Sequence, residues 1–303
     1  MQISTNQFYN SSNAMMSSLT EQADKLQTQI STTKRLQAPS DDVVAYQQLQ
    51  SISRATANDA AYKTNMGTAQ SLLDQSDSTL SSITSQIQRA QELTVEANNE
   101  ALSDSDRQAI STELKSITQS LAQLANTQDS RGQALFGGTQ GGNPVTMNAD
   151  GTVTINDTGQ PAAIPIGDNQ TMVPTETAQS VFGGVQTSSG TTDLFSILTN
   201  LTAALDAGGS PTAAASAAGD ALKASLNQVS DNQASIGARS ARLTLVTNAM
   251  TDMAATRETQ RSSLEDTDVT QAITDLQKTM TVLQATQASF TKLTSLSLFD
   301  YLK

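Results

Sequence analysis

The chain contains neither cysteine nor histidine among its 303 residues. Without thiols it can form no disulfide framework and no thiolate metal site. Without imidazoles it lacks the Ser-His and Cys-His nucleophiles and the usual zinc and copper ligands. The composition therefore favours a protein that is not an enzyme, with no catalytic residue, no metal and no cofactor.

Aromatic and long apolar segments are also scarce. Aromatic residues make up 3% of the chain and hydrophobic residues 37%, below the usual share in globular domains. This predicts long, thin helices rather than a large core. No apolar run approaches the length of a membrane span, and the first thirty residues lack the basic start and apolar stretch of a signal peptide. We expect no membrane insertion and no cleaved signal peptide.

Basic residues are few and unevenly placed. The net charge is −12, and no lysine or arginine occurs between Arg131 and Lys223. Because affinity for nucleic acid comes mainly from basic side chains on phosphates, we expect no nucleic-acid partner. The acidic middle of the chain is expected to face solvent.

Glycine and proline divide the chain. Twelve of the sixteen glycines and five of the six prolines lie between Gly137 and Pro211, so long helices are expected on either side. We predict helices over residues 5–33 and 42–99, a third capped by Ser103–Asp106, a fourth over 193–206, and a last helix or helix pair over 213–294. Gly237 is a candidate bend in the last one.

The glycine-rich middle has the pattern of short strands. Val145–Met147 and Thr152–Ile155 flank an Asp-Gly turn, which is a hairpin signal. Ile164–Ile166 and Met172–Val173 suggest further strands. The predicted fold class is mainly α with a small β insertion: long antiparallel helices or a coiled coil from both termini, plus an outer β-rich domain.

Both ends of the chain carry apolar residues at alternating steps of three and four. This spacing gives each terminal helix a narrow apolar seam of the kind that a coiled coil buries. A seam that one helix cannot bury alone is an assembly surface. A self-contained helical bundle remains an alternative. The predicted assembly interface comprises Met16, Leu19, Leu26, Ile30, Val269, Ile273, Leu276, Met280, Leu283, Phe290, Leu298 and Phe299.

Several segments resemble the flagellin superfamily in their order and spacing. Ser31–Leu36 with Pro39–Asp42 is similar to the S-T-G-K-R and P-S-D-D signature near the start of these proteins, although Thr33 stands where the family usually has glycine and Val43 where it often has proline. The ending Ser295–Leu302 resembles the branch of hook-associated proteins at the hook–filament junction. Further matching segments are Leu102–Arg107, Asn126–Gly138, Gln179–Gly184, Asp193–Phe195 and Glu265–Asp268.

The resemblance implies a structural subunit that joins hook to filament outside the bacterial cell. It implies export through the flagellar type III apparatus, without cleavage of a signal peptide, and a cytoplasmic chaperone on the C-terminal segment. Implied partners are identical subunits in a ring, a neighbouring hook-associated protein and flagellin. The implied segments are an N-terminal assembly and export segment, two parts of a helical rod around a β-rich outer domain, and a C-terminal assembly segment: residues 1–42, 43–137, 138–190, 191–264 and 265–303.

Other functions fit parts of the pattern. A filament flagellin belongs to the same broad class, and an adhesin-like protein would use the acidic β region to bind glycans or surfaces. Three carboxylate pairs could suggest acid–base chemistry or calcium, but all three stand at predicted helix starts, where capping explains them. These pairs are Asp41 with Asp42, Asp104 with Asp106, and Asp266 with Asp268.

Overall fold

The computed structural model describes residues 2–188 and 190–300, with side chains for residues 6–188 and 190–292. The helices are α1 (Gln2–Thr32), α2 (Val43–Ala97), α3 (Asp104–Ala125), α4 (Ala178–Phe182), α5 (Leu194–Asp206), α6 (Thr212–Glu265) and α7 (Val269–Asp300). The strands are β1 (Val145–Met147), β2 (Val153–Ile155), β3 (Ile164–Gly167), β4 (Gln170–Met172), β5 (Val185–Thr187) and β6 (Gly190–Thr192). The mainly α prediction with a small β insertion is confirmed.

The chain forms two compact units. Unit 1 consists of Met1–Asn58 and Asp252–Lys303, and unit 2 of Asp59–Thr251. Unit 1 therefore holds α1, α7 and the adjoining ends of α2 and α6. Unit 2 holds the rest of those two helices, together with α3, α4, α5 and all six strands.

Local capping chemistry begins several helices where the sequence predicts. The Ser103 hydroxyl accepts from the backbone N–H of Asp106, and the Asp106 carboxylate accepts from the N–H of Ser103, which makes a capping box at α3. Asp193 caps α5 through the N–H of Ser196 at 2.9 Å. The Asp42 carboxylate accepts from the N–H of Ala45 at 3.0 Å.

The helices of unit 2 pack as antiparallel neighbours. Arg89 on α2 contacts Glu113 on α3 at 2.8 Å, while Gln75 reaches the carbonyl of Gln128, just beyond α3. The later part of α2 thus lies beside the middle of α3, and an earlier part of α2 lies beside the end of α3. This is the arrangement of an αα-hairpin. The core between the helices is a continuous apolar cluster that includes Leu80, Ile83, Ile87, Leu114, Leu121, Leu198, Leu222 and Val229.

Three separate antiparallel hairpins make up the β part: β1 with β2, β3 with β4, and β5 with β6. The predicted Asp150-Gly151 turn joins β1 to β2, and Gly151 adopts a φ of 83°, which glycine tolerates without strain. The Asn126 side-chain amide accepts from the N–H of Val145 at 3.1 Å and donates to its carbonyl at 2.8 Å. This amide takes the place of a third strand at the edge of β1.

Three phenylalanines hold the irregular part of unit 2 together. Phe136, Phe182 and Phe195 are fully buried, with ring centroids 6.1 Å apart for the first pair and 5.3 Å for the second. They come from three separate segments: the loop after α3, the end of α4 and the first turn of α5. Such aromatic contacts add to the free energy gained from burial alone.

Two features differ from the sequence prediction. The short helix α4 and the hairpin β5–β6 are present where neither was predicted, because their residues are largely glycine, glutamine, serine and threonine and carry no clear period. The last helical region agrees with the predicted alternative of a helix pair: α6 and α7 are separated by residues 266–268, and Gly237 lies within α6. Asp266 directly follows the end of α6, and Asp268 caps the start of α7 by accepting from the N–H of Gln271.

The phenylalanine stack yields a prediction on stability. Replacing Phe182→Ala removes a fully buried ring and should lower the free energy of unfolding of unit 2 by about 3–5 kcal/mol. The loss of free energy of unfolding is measured by chemical denaturation and by hydrogen exchange of the backbone amides of α3 and α5. Phe8→Ala is the matched control, because Phe8 lies in unit 1 and is 41% exposed. An unchanged stability of unit 2 in Phe182→Ala would contradict the role given to the stack.

Candidate assembly interface

Unit 1 has very few buried apolar side chains. Among its described residues, only four hydrophobic side chains are buried, and three of these are alanines: Ala23, Leu36, Ala45 and Ala272. Burial of apolar area is the main favourable term in folding. The terminal helices therefore gain little stability from the contacts they make within one chain.

The two terminal helices pack against each other in an antiparallel pair. The rings of Tyr9 and Phe290 meet edge to face with centroids 5.4 Å apart. At the other end of the pair, the backbone N–H of Thr267 donates to the carbonyl of Thr33 at 3.0 Å. The pairing brings the start of α1 to the later part of α7 and the end of α1 to its beginning.

On α1 the predicted seam faces its partner helix. Ala23 is buried and Met16, Leu19, Leu26 and Ile30 are half-buried. These positions alternate by three and four residues and form two neighbouring rows of a heptad pattern. Phe8 and Met15 stand outside this seam, with exposed fractions of 41% and 53%.

The α7 seam is rotated relative to the predicted one. The row of Val269, Leu276, Leu283 and Phe290 is half-buried, and the row that starts at the buried Ala272 continues with the half-buried Thr279 and Thr286. These are the two rows that α7 turns toward α1, since α1 is the element it packs on most extensively. Small side chains at one row allow close approach of the two backbones.

The rotation leaves the other predicted row in solvent. Ile273 and Met280 are each 42% exposed, and they are seven residues apart, which places them about 10.5 Å apart along one face of α7. The described part of α7 thus has two faces with apolar residues, of which α1 covers one. Leu298 and Phe299, the last two predicted interface residues, lie outside the residues whose side chains are described.

A clasp of backbone and charged groups ties the two chain breaks of unit 1 together. We use the word clasp for residues 33–42, between α1 and α2, and residues 258–268, at the α6–α7 junction. Lys34 and Asp266 form an isolated antiparallel bridge. The Arg35 N–H donates to the carbonyl of Glu265 at 2.7 Å, and its guanidinium donates to the carbonyl of Leu264 at 2.8 Å.

The clasp carries an organised set of ion pairs. Lys34 contacts Glu265, which also pairs with Arg261 at 2.5 Å. These partners, Lys34 first and then Arg261, lower the pKa of the Glu265 carboxyl. Lys25 pairs with Asp41 at 2.7 Å, and this contact lowers the pKa of the Asp41 carboxyl together with the N–H groups of Gln37 and Ala38. Lowered carboxyl pKa values mean that these pairs stabilise the fold above an ordinary carboxyl pKa of about 4 and stop doing so as the pH falls through the lowered values.

Thr33 ends α1 in an unfavourable conformation. Its φ is 58°, in the left-handed region that a β-branched residue rarely adopts and that glycine occupies readily. This is the position at which the sequence carries threonine in place of the glycine of the signature. The threonine adopts this left-handed conformation at a cost of about 1–2 kcal/mol.

The described residues include neither a metal-binding cluster nor a helix that could span a membrane. No group of three or more acidic side chains there is arranged to hold a metal ion. The predicted carboxylate pairs act as helix caps or ion-pair partners wherever their contacts are described.

Two family models match the chain. The bacterial flagellin N-terminal helical region matches residues 3–141, and the bacterial flagellin C-terminal helical region matches residues 220–302. The matched ranges include α1, α2 and α3 on one side and α7 with most of α6 on the other. They also contain every residue of the clasp.

Similar proteins are known by sequence and by structure. The chain is 30% identical to flagellar hook-associated protein 3 of Salmonella typhimurium, over 99% of both chains. It is 31% identical to the Escherichia coli protein of the same name, over 91% of both. The flagellar junction protein FlgL from Legionella pneumophila has the same fold with a TM-score of 0.60 and 16% identity, over 72% of this chain and 100% of that one.

The end of α1 yields a testable change. Thr33→Gly should stabilise unit 1 by about 0.5–1 kcal/mol, because glycine adopts a positive φ without the clash of a β-branched side chain. Hydrogen exchange of the last turn of α1 should slow by about twofold to fivefold. Thr20→Gly, the same change inside the helix, should instead speed exchange. Faster exchange in both variants would contradict the interpretation of Thr33.

The ion pairs of the clasp give a second testable change. Lys34→Gln removes the lysine from Glu265 and should loosen the bridge beside it, so the Thr267 amide should exchange about twofold to fivefold faster. Lys278→Gln is the matched control, because Lys278 is 69% exposed and lies 3.5 Å from its partner Asp275. Equal effects of the two substitutions at Thr267 would show that the clasp pair has no special contribution.

Proposed function

Because this chain belongs to the bacterial flagellin family, we propose that it is a structural subunit of the flagellum that joins hook to filament. The observation that carries the proposal is the 30% identity to a flagellar hook-associated protein 3 across 99% of both chains. A match of this extent covers the terminal helices and the middle of the chain alike. The subunit lies in the external flagellum and has a structural rather than a catalytic role.

The terminal helices are the assembly elements in this proposal. Unit 1 buries one leucine and three alanines among its described hydrophobic residues, and its α7 keeps Ile273 and Met280 exposed. Contacts from neighbouring copies would cover these side chains and add the apolar burial that one chain does not supply. Head-to-tail contacts between identical subunits can close into a ring, which is the arrangement we propose.

The other partners follow from the same role. A neighbouring hook-associated protein and flagellin would adjoin the ring on its two sides. Before assembly, the C-terminal segment would be held by a cytoplasmic export chaperone, and the chain would leave the cell through the type III apparatus. Leu298 and Phe299 are the residues of that segment for which we propose a contact with the chaperone or with a neighbouring subunit.

Microscopy of flagella with the protein labelled tests the location. A single band beside the hook is expected, whereas label along the whole filament would make the chain a filament flagellin. Deleting the gene should leave hooks without filaments and release flagellin into the medium. A strain that still forms normal filaments after the deletion would contradict the junction role.

Variants of the exposed α7 row test the assembly surface. The double substitution Ile273→Asp and Met280→Asp should abolish restoration of filaments in the deletion strain, because it places charges where a neighbour would bury apolar groups. The matched control is Thr274→Asp with Thr281→Asp, which adds the same charge at two exposed polar positions, also seven residues apart, about 100° around the helix from that row. Both variants should still be secreted. Filaments restored equally by both would remove the row from the interface.

A further inference from the structure

Unit 2 contains an open cleft. Its volume is about 810 Å³, within the range of small-molecule sites. One wall is the loop that follows α3, from Gln128 to Asn143, and the other comes from the segments around Ile164 and Thr175. Leu72 of α2 contributes to the lining. Nothing in the structural role proposed above uses this cleft.

Most polar side chains of the cleft make no hydrogen bond to the described part of the chain; the exceptions are Asp129 and Arg131, which pair with each other. Six amide or hydroxyl side chains line it, and none of them makes a described hydrogen bond: Gln128, Gln133, Thr139, Gln140, Asn143 and Thr175. The neighbouring β1–β2 hairpin behaves differently. There Asn148 donates to Thr152 and Thr154 at 2.9 and 3.0 Å, and Asn156 donates to Thr146 at 2.8 Å. The chain therefore pairs exposed polar groups on that hairpin and leaves them available in the cleft.

Backbone hydrogen bonds hold the wall in place. The N–H groups of Thr139 and Gln140 donate to the carbonyls of Gln160 and Thr158, each at 3.0 Å. Gly138 lies so close to this segment that a Cβ atom there would come within 2.1 Å of the Thr158 carbonyl oxygen. Only glycine fits, so the loop is fixed against its neighbour. A fixed wall loses little conformational freedom when a ligand binds.

The chemistry of the lining selects among ligands. Amides and hydroxyls both donate and accept, as sugar hydroxyls do, and the half-buried Ile164 offers apolar surface to the C–H face of a ring. The one cation, Arg131, is paired with Asp129 at 2.8 Å, so the lining has no net charge to select an ion. No aromatic residue is present for stacking. We propose that this cleft binds a neutral saccharide.

Ligand-observed NMR with the full chain tests the proposal. Glucose, galactose, N-acetylglucosamine and maltose are offered at about 10 mM, with glucuronate as the anionic probe. At least one neutral sugar should show saturation transfer, with a dissociation constant of about 1 mM or lower. No signal from any of the four neutral sugars would overturn the proposal. Preferred binding of glucuronate that is lost in Arg131→Gln would also overturn it, in favour of an anion site.

Substitutions locate the binding. Gln140→Ala with Asn143→Ala should weaken the affinity by about fivefold or more, because two side chains that can bond the sugar are lost. The matched control, Gln186→Ala with Thr191→Ala, removes a hydrogen-bonded pair from the β5–β6 hairpin outside the cleft and should leave the affinity unchanged. Unfolding by circular dichroism checks that both variants are folded. Binding that survives the first pair and is lost in the second would place the sugar elsewhere. This result is independent of where the protein lies in a flagellum, so either proposal can fail alone.

Discussion

The limited apolar surface that two thin helices can bury on each other determines the properties of unit 1. A helix with one narrow apolar seam covers that seam with a single partner helix. No further apolar surface then remains from which a core could be built. In α1 and α7 the seam positions are mostly half-buried, and the fully buried ones are alanines. Helical stability in proteins comes mainly from packing of this kind rather than from intrinsic propensity. Because this helix pair buries so little apolar surface, packing against further helices from neighbouring chains would stabilise it.

The clasp provides the fixed point that the helices themselves lack. The segments of the sequence that resemble the flagellin signature, around Lys34, Asp41 and Glu265, are distant in sequence but close in space. Their charged and backbone groups set the point at which the chain leaves α1 and enters α7. Individually, such pairs at a partly exposed surface contribute little. Their effect is to fix geometry, because a backbone bridge and several ion pairs act on the same two loops.

Local chemistry made much of the fold predictable. The caps at Ser103 and Asp193 and the Asp150-Gly151 turn depend on residues within a few positions, so the sequence specifies them directly. The α7 seam was harder. Ile273 and Met280 satisfy a coiled-coil pattern as well as Leu276 and Leu283 do, and only the partner decides which second row is covered. The row chosen begins with Ala272 and continues with threonines, whose small size permits close packing but gives no hydrophobic signal. The cleft of unit 2 was likewise unpredictable, since it depends on which loops meet.

Unit 2 solves a different physical problem. Its strands are three or four residues long, and an isolated two-stranded hairpin of that size is at best marginally stable in water. The hairpins must therefore be held from outside. The stacked phenylalanines stabilise them from the core. Helix α6 stabilises them through side chains that bind the backbone. Gln228 donates to the carbonyls of Ser180 and Gly183, and Arg239 donates to the carbonyl of Val173. Because the anchoring groups lie on the helices and in the core, the outer side chains of the loops are not needed for stability. Those side chains face solvent and are free to serve recognition, as in the saccharide site proposed for the cleft.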